Sequence, residues 1–183
     1  METLEYRGFT LAFDAEATRR AYAAVEQGGP EACACSMCRN FAALRDRAYP
    51  PEVLALLDQL GVDPRKEAEA THFWQVQPGR PGDLHIYGWF LHFVGRVVES
   101  PVPMPTPFGP PAVPVEGAFT IAFWEQRDLA HEAFRGLPLV QVDCMSHIPW
   151  VIEEEEPTWG ERANPPLQPT KGVRRFASLF RWR

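Results

Sequence analysis

No run of apolar residues in this chain approaches the roughly 20 needed to cross a bilayer as a helix, so an integral helical membrane protein is not expected. The first residues, METLEYRGFTLAFD, lack a basic segment followed by an apolar one, so a secretory leader is not expected either. Cysteine is scarce, four in 183 residues, which excludes a disulfide scaffold as the source of stability. The phosphate-binding glycine loop, the dinucleotide fingerprint and the G-x-S-x-G elbow are all missing. HEAFR at 131–135 opens like a zincin helix, but Arg135 stands where the second histidine must be. The zinc-deaminase pattern fails around His131 and Glu132 as well, because the spacing is wrong and no P-C-x2-C follows.

Basic charge is short too, and what there is lies mostly at one end. The net charge is −6, yet residues 171–183 hold Lys171, Arg174, Arg175, Arg181 and Arg183 and no acid. Taking those five from 18 bases leaves 13 against 24 acids, a net −11 for the rest of the chain. A body this acidic repels phosphate backbones, which disfavours general nucleic-acid binding. Hydrophobic residues at 45% and charged residues at 23% are those of an ordinary globular protein with a full core.

The patterning predicts an α+β fold with a mainly antiparallel sheet of about four to five strands and an N-terminal helical layer. EYRGFTLAF at 5–13 alternates as a half-buried strand. Asp14 is placed to cap a helix running to Gln27, and Gly28, Gly29 and Pro30 are expected to end it. Met37, Phe41, Leu44 and Ala48 recur at helical spacing over about 37–48, with Arg39, Arg45 and Arg47 directed elsewhere. Pro51 opens another helix with a Val53, Leu56, Leu57 and Leu60 stripe, closed by Gly61. Asp63 and Pro64 suggest a short further helix. THFWQVQ and LHIYGWFLHFVGRVVE flank the turn-rich PGRPGD and read as a hairpin with a long, two-sided apolar arm, Gly88 and Gly95 marking bulges in it. Seven prolines within residues 100–116 make a stiff crossover loop. GAFTIAFWE reads as a strand, RDLAHEAFRG as a short helix capped by Asp128, and LPLVQVDCMSHIPWVI as a last long strand. Residues 1–156 therefore read as one domain, and 157–183 as an irregular C-terminal arm ending in a basic amphipathic tail.

Three of the four cysteines fall within EACACSMC. Cys33 and Cys35 are two apart, so their thiols share a side in an extended segment. Cys35 and Cys38 have the C-x2-C spacing of a metal knuckle, at the expected start of a helix whose free N–H groups favour thiolates. Three neighbouring thiolates repel one another unless a cation neutralises them, and zinc takes four tetrahedral sulfur or nitrogen ligands. The expected metal set is Cys33, Cys35 and Cys38, with Cys144 as candidate fourth ligand because it is the remaining thiol. Against that, alternation puts Cys144 with Val140, Val142 and Ile148 on an apparent core face. His72, His92, His131 and His147 are weaker candidates, and water could complete the shell instead.

The expectation is thus a cytoplasmic, zinc-stabilised, non-catalytic binding or adaptor protein, with a possible protein partner at 171–183. The competing expectation is a small enzyme using an open metal site or a reactive thiol in an aromatic and histidine-lined cleft. For that cleft, His85, Tyr87 and Trp89 share one strand face, and Asp143 could pair with a histidine such as His147 as a general base. The acidic run 153–156 is expected to be solvated or to meet the basic tail.

Overall fold

The computed structural model describes residues 1–76, 84–101, 112–125 and 130–154. The crossover at 102–111, the PGRPGD turn, the Asp128 cap and everything from residue 155 onward, including the arm and tail, lie outside the described residues.

The architecture is α+β, with every strand pairing antiparallel. Among the described residues the sheet has seven strands rather than four or five: β1 (Glu2–Tyr6), β2 (Phe9–Phe13), β3 (Glu69–Gln75), β4 (Leu84–Glu99), β5 (Val113–Pro114), β6 (Thr120–Trp124) and β7 (Leu139–Pro149). They lie in the order β1-β2-β4-β7-β6-β5, with β3 also paired to β4. Two local events account for the excess. The single strand expected at 5–13 folds back at Arg7 (φ 48°) and Gly8 (φ 85°), giving a two-residue hairpin whose positive φ values suit a turn matching strand twist. The end of the proline-rich stretch adds the two-residue edge strand β5, where a missing N–H is tolerated.

β4 is the axis of the molecule. β7 pairs along one edge from Leu84↔Pro149 to Val94↔Leu139. The other edge is shared by β3 at residues 85–90 and β2 at residues 95–99. Helix α1 (Ala15–Ala23) closes the gap between them. The Tyr22 hydroxyl accepts from His92 N and donates to His92 O, both at 3.0 Å, while Thr18 Oγ1 accepts from Val94 N at 2.9 Å. Side chains thus satisfy backbone groups that no strand reaches. Gly88 and Gly95 mark close approaches and not bulges: a Cβ would lie 2.9 Å from the Phe73 ring at Gly88 and 2.2 Å from Ala12 O at Gly95. The register shifts fall at Thr10/Leu11 and His72/Trp74.

One face of the sheet carries the core. Tyr87, Trp89, Leu91 and Phe93 stand across from Ser146, Cys144, Val142 and Val140, all buried. Helices α3 (Ser36–Ala48) and α4 (Pro51–Leu60) cover them with Phe41, Leu44, Val53, Leu57 and Leu60. Phe41 and Tyr49 rings lie 5.1 and 5.4 Å from that of Trp89. Burying an aromatic here removes most of its 150–250 Å² from water, so truncating Trp89 should cost about 3–5 kcal/mol.

Other expectations shift in detail. The first helix stops at Ala23, and Gly28-Gly29-Pro30 begins a helix instead of only ending one: α2 spans Gly29–Cys33, with Gly28 as its N-cap. The helix expected at 63–70 is only a turn, with Arg65 N donating to Asp63 Oδ1 at 3.0 Å. The helix expected at 127–136 is a single 3-10 turn, Glu132–Phe134, among the described residues. No helix among the described residues is long and apolar enough to cross a membrane.

Candidate metal centre

The three clustered cysteines sit on the reversal between α2 and α3. Cys33 ends α2, Ala34 takes the left-handed conformation at φ 54°, and Cys35 is the extended N-cap of α3. A non-glycine residue in that conformation costs on the order of 1 kcal/mol. It turns the chain so that the Cys33 and Cys35 sulfurs face each other at 3.4 Å. Cys38 lies one turn into α3, and the three sulfurs all fall within 4.8 Å of one another. Around zinc, Zn–S bonds of about 2.3 Å in tetrahedral array place sulfurs about 3.8 Å apart. The thiols are assembled at nearly that spacing, with Cys33 exposed, Cys35 half-buried and Cys38 buried.

Their protonation is split. The Cys35 thiol is pulled down to about 5, first by the Cys38 S–H that donates to it. Backbone N–H groups of Met37 and Cys38 at the start of α3 act in the same direction, and burial opposes them. Cys38 is pushed well up by the neighbouring Cys35 sulfur and by burial. One thiolate therefore gathers hydrogen bonds from its neighbours, which is the arrangement a divalent ion would replace.

A buried polar network holds α2 against α3. Arg45 Nε donates to Glu67 Oε1 at 2.9 Å, Arg45 Nη1 pairs with Glu31 Oε1 at 2.5 Å, and Tyr49 OH donates to Glu67 Oε1 at 3.1 Å. Glu67 is fully buried, and burial raises its carboxyl to about 7 in spite of Arg45. Gly29 N donates to Glu67 O at 2.7 Å, and a Cβ on Gly29 would lie 2.2 Å from Ala68 O, so only glycine lets α2 start this close. Arg45 is thus inside the molecule, contrary to the outward direction expected from the helical pattern.

The other side of the corner is tied to the end of β7. Asn40, fully buried, accepts from Val151 N at 2.8 Å and donates to Pro149 O at 3.1 Å. Tyr87 OH donates to the Met37 carbonyl, between Cys35 and Cys38, at 3.2 Å. Arg39 donates to Ala34 O and pairs through two nitrogens with the exposed Glu154 carboxylate, which holds its guanidinium charge beside the thiols. Asn40 carries no expectation from the sequence, although a polar residue beside the apolar stripe between Met37 and Ala48 is the signal that marks it.

The remaining candidates are dispersed. Cys144 is buried in the hydrophobic core, across from Trp89 and Ile121, and does not join the three-sulfur group. Burial pushes its thiol well above the ordinary range. His72 Nε2 and His85 Nδ1 lie 2.7 Å apart, with the Tyr87 and Trp150 rings at 4.8 Å from His72 and 5.4 Å from His85. His131 Nε2 lies 2.9 Å from Lys66 O. His85, Tyr87 and Trp89 point into the helix-covered face, whereas Asp143 and His147 leave the opposite face, so the two sets do not line one cleft. No family model, curated protein or solved structure matches the chain.

Proposed function

We propose that this is a zinc-binding protein in which Cys33, Cys35 and Cys38 clamp the α2–α3 corner, and that its role is that of a non-catalytic binding or adaptor protein. The observation that carries the reading is the convergence of three sulfurs within 4.8 Å on a tight helix-to-helix reversal. In this reading Cys144 stays in the core, and the fourth zinc position, beside the exposed Cys33, takes water or a side chain from a partner. The ion contributes to folding by holding together α2, α3 and the segment after β7 that Asn40 and Arg39 grip. A reducing compartment such as the cytoplasm keeps the thiols available. The basic tail 171–183 is the proposed protein-partner contact, and deleting it should remove the partner without unfolding the domain.

Elemental analysis of native protein tests the reading: one zinc per chain is expected, with a marked fall in thermal stability on chelation. Full stability in metal-free protein with reduced thiols sinks it.

A second reading, a thiol-dependent enzyme, is favoured by the Cys35 thiol lying near 5 beside an exposed Cys33. Alkylation separates the two. One fast-reacting cysteine supports chemistry, whereas protection of all three released together by a chelator supports the closed clamp.

A further inference from the structure

The three sulfurs of the thiol corner are not equivalent, and a closed metal clamp does not require that they differ. Cys33 is exposed and Cys35 half-buried, whereas Cys38 is buried, with 7% of its surface reaching solvent. Cys38 Sγ lies 4.0 Å from Ala70 O on β3, inside the molecule. Cys33 Sγ donates to Cys35 Sγ at 3.4 Å, closer than the roughly 3.8 Å that a tetrahedral ion imposes on its sulfur ligands. The reversal at Ala34 therefore sets two sulfurs against each other at the surface and leaves the third buried.

Joining those two takes little movement. A disulfide bond is about 2.05 Å long, so the sulfurs need to approach by about 1.4 Å. Both belong to the reversal itself, Cys33 as the last residue of α2 and Cys35 as the N-cap of α3, so their approach leaves both helices intact. Arg39 donates to Ala34 O, between the two cysteines, and its charge favours an anionic sulfur there. Cys144, 2% exposed in the core, is out of reach of the pair and of any oxidant that meets it at the surface.

We propose that Cys33 and Cys35 are a redox pair, oxidised to a disulfide by a small hydroperoxide, and that this bond opens the metal clamp. For the clamp this rests on the zinc reading above; for the bond it needs only the sulfur geometry. Cys35 accepts the S–H of Cys33, which makes it the nucleophile, and its half-buried position admits only a small oxidant. Its sulfur attacks the terminal peroxide oxygen and the O–O bond breaks. Cys35 becomes a sulfenic acid, while the other oxygen takes a proton and leaves as water or an alcohol. The Cys33 sulfur then attacks that of Cys35, the S–O bond breaks, and the hydroxyl departs as water with the Cys33 proton. Two thiols lose one electron each, and one peroxide is reduced. Of the three clustered thiols only Cys38 then remains, too few sulfur ligands to hold a structural zinc.

Oxidation of the full chain with hydrogen peroxide, metal-free and zinc-loaded, tests the assignment. Metal-free reduced protein should fall from four thiols to two, counted in denaturant after the peroxide is removed. Differential alkylation should find Cys33 and Cys35 oxidised and Cys38 and Cys144 free. Cys38→Ser should form the same bond, whereas Cys33→Ser should accumulate a sulfenic acid at Cys35 that dimedone traps. Pairing should run several-fold faster than in denaturant, where the Ala34 reversal no longer holds the sulfurs together. No thiol loss, a wild-type bond that uses Cys38, or an equal rate in denaturant overturns the redox pair. Zinc-loaded protein should release its metal to a chromogenic chelator in step with the disulfide, and dithiothreitol should restore binding. Zinc retained beside a completed Cys33–Cys35 bond overturns control of the clamp. Protein that takes up no zinc but forms the bond overturns the zinc reading and upholds the redox pair, which keeps the two failures apart.

Discussion

The thiol corner and the polar row on the far face of the sheet are built in opposite ways. The corner draws its three sulfurs from six consecutive positions, and a single left-handed residue, Ala34, brings two of them together. The row takes His92, Trp124, Gln141 and Asp143 from three strands, and only the β4–β7–β6 register makes them neighbours. The difference teaches that a local motif declares its chemistry in the sequence, while its geometry depends on distant support. In the corner that support is Arg45, Glu67 and Asn40, none of which belongs to the motif.

Four perturbations break or sharpen this contrast. The largest effect is expected from Cys35→Ser, which should abolish stoichiometric zinc and lower unfolding free energy in zinc-containing buffer by about 4 kcal/mol or more, read by denaturant titration with and without chelator. The far row, lacking the motif, should keep its NMR resonances in that variant while the corner loosens. Arg45→Met comes next: it leaves Glu67 buried without its cation and should cost about 3 kcal/mol, together with weaker zinc binding, if distant support matters to the corner. Unchanged metal affinity in that variant would mean that the motif assembles by itself.

The third perturbation addresses the row. Burial raises the Asp143 carboxyl from its ordinary 3.8 to about 7, so the folded protein binds that proton more tightly than the unfolded chain. The associated stability is fully present below about pH 4 and falls as pH rises to about 7, by at most about 4 kcal/mol. Asp143→Asn should remove that slope and stabilise the protein at pH 7.5 relative to wild type, as measured by denaturant midpoints across the range. The smallest effect is expected from Glu154→Gln, which opens an exposed pair with Arg39 and should move the melting temperature by under about 2 °C. Its consequence should show instead as faster chelator access to the corner, followed by stopped-flow metal release.

Legibility differed from element to element for physical reasons. Helices with a continuous apolar stripe and strong end signals, such as Pro51–Leu60 before Gly61, were readable because burial and capping agree locally. The hairpin at Arg7-Gly8 was missed because alternation runs through the turn without a proline or a paired Asn-Gly to interrupt it. Alternation put Cys144 on a core face, and it is buried in the core opposite Trp89. That Asp143 would join Gln141, His92 and Trp124 in one row could not be seen, because parity along one strand does not reveal which strand lies beside it.

The sequence by itself determined that the chain would build an α+β domain and that three thiols would lie at a helix start, since periodicity, caps and C-x-C-x2-C spacing act over a few residues. Only the tertiary structure decided that Arg45, Glu67 and Asn40 would brace those thiols. It also decided that Cys144 would sit among core side chains and that His92, Trp124, Gln141 and Asp143 would share a face. Those outcomes depend on strand register and on which helix covers which side, and both are set by burial summed over the whole domain rather than by any local run of residues.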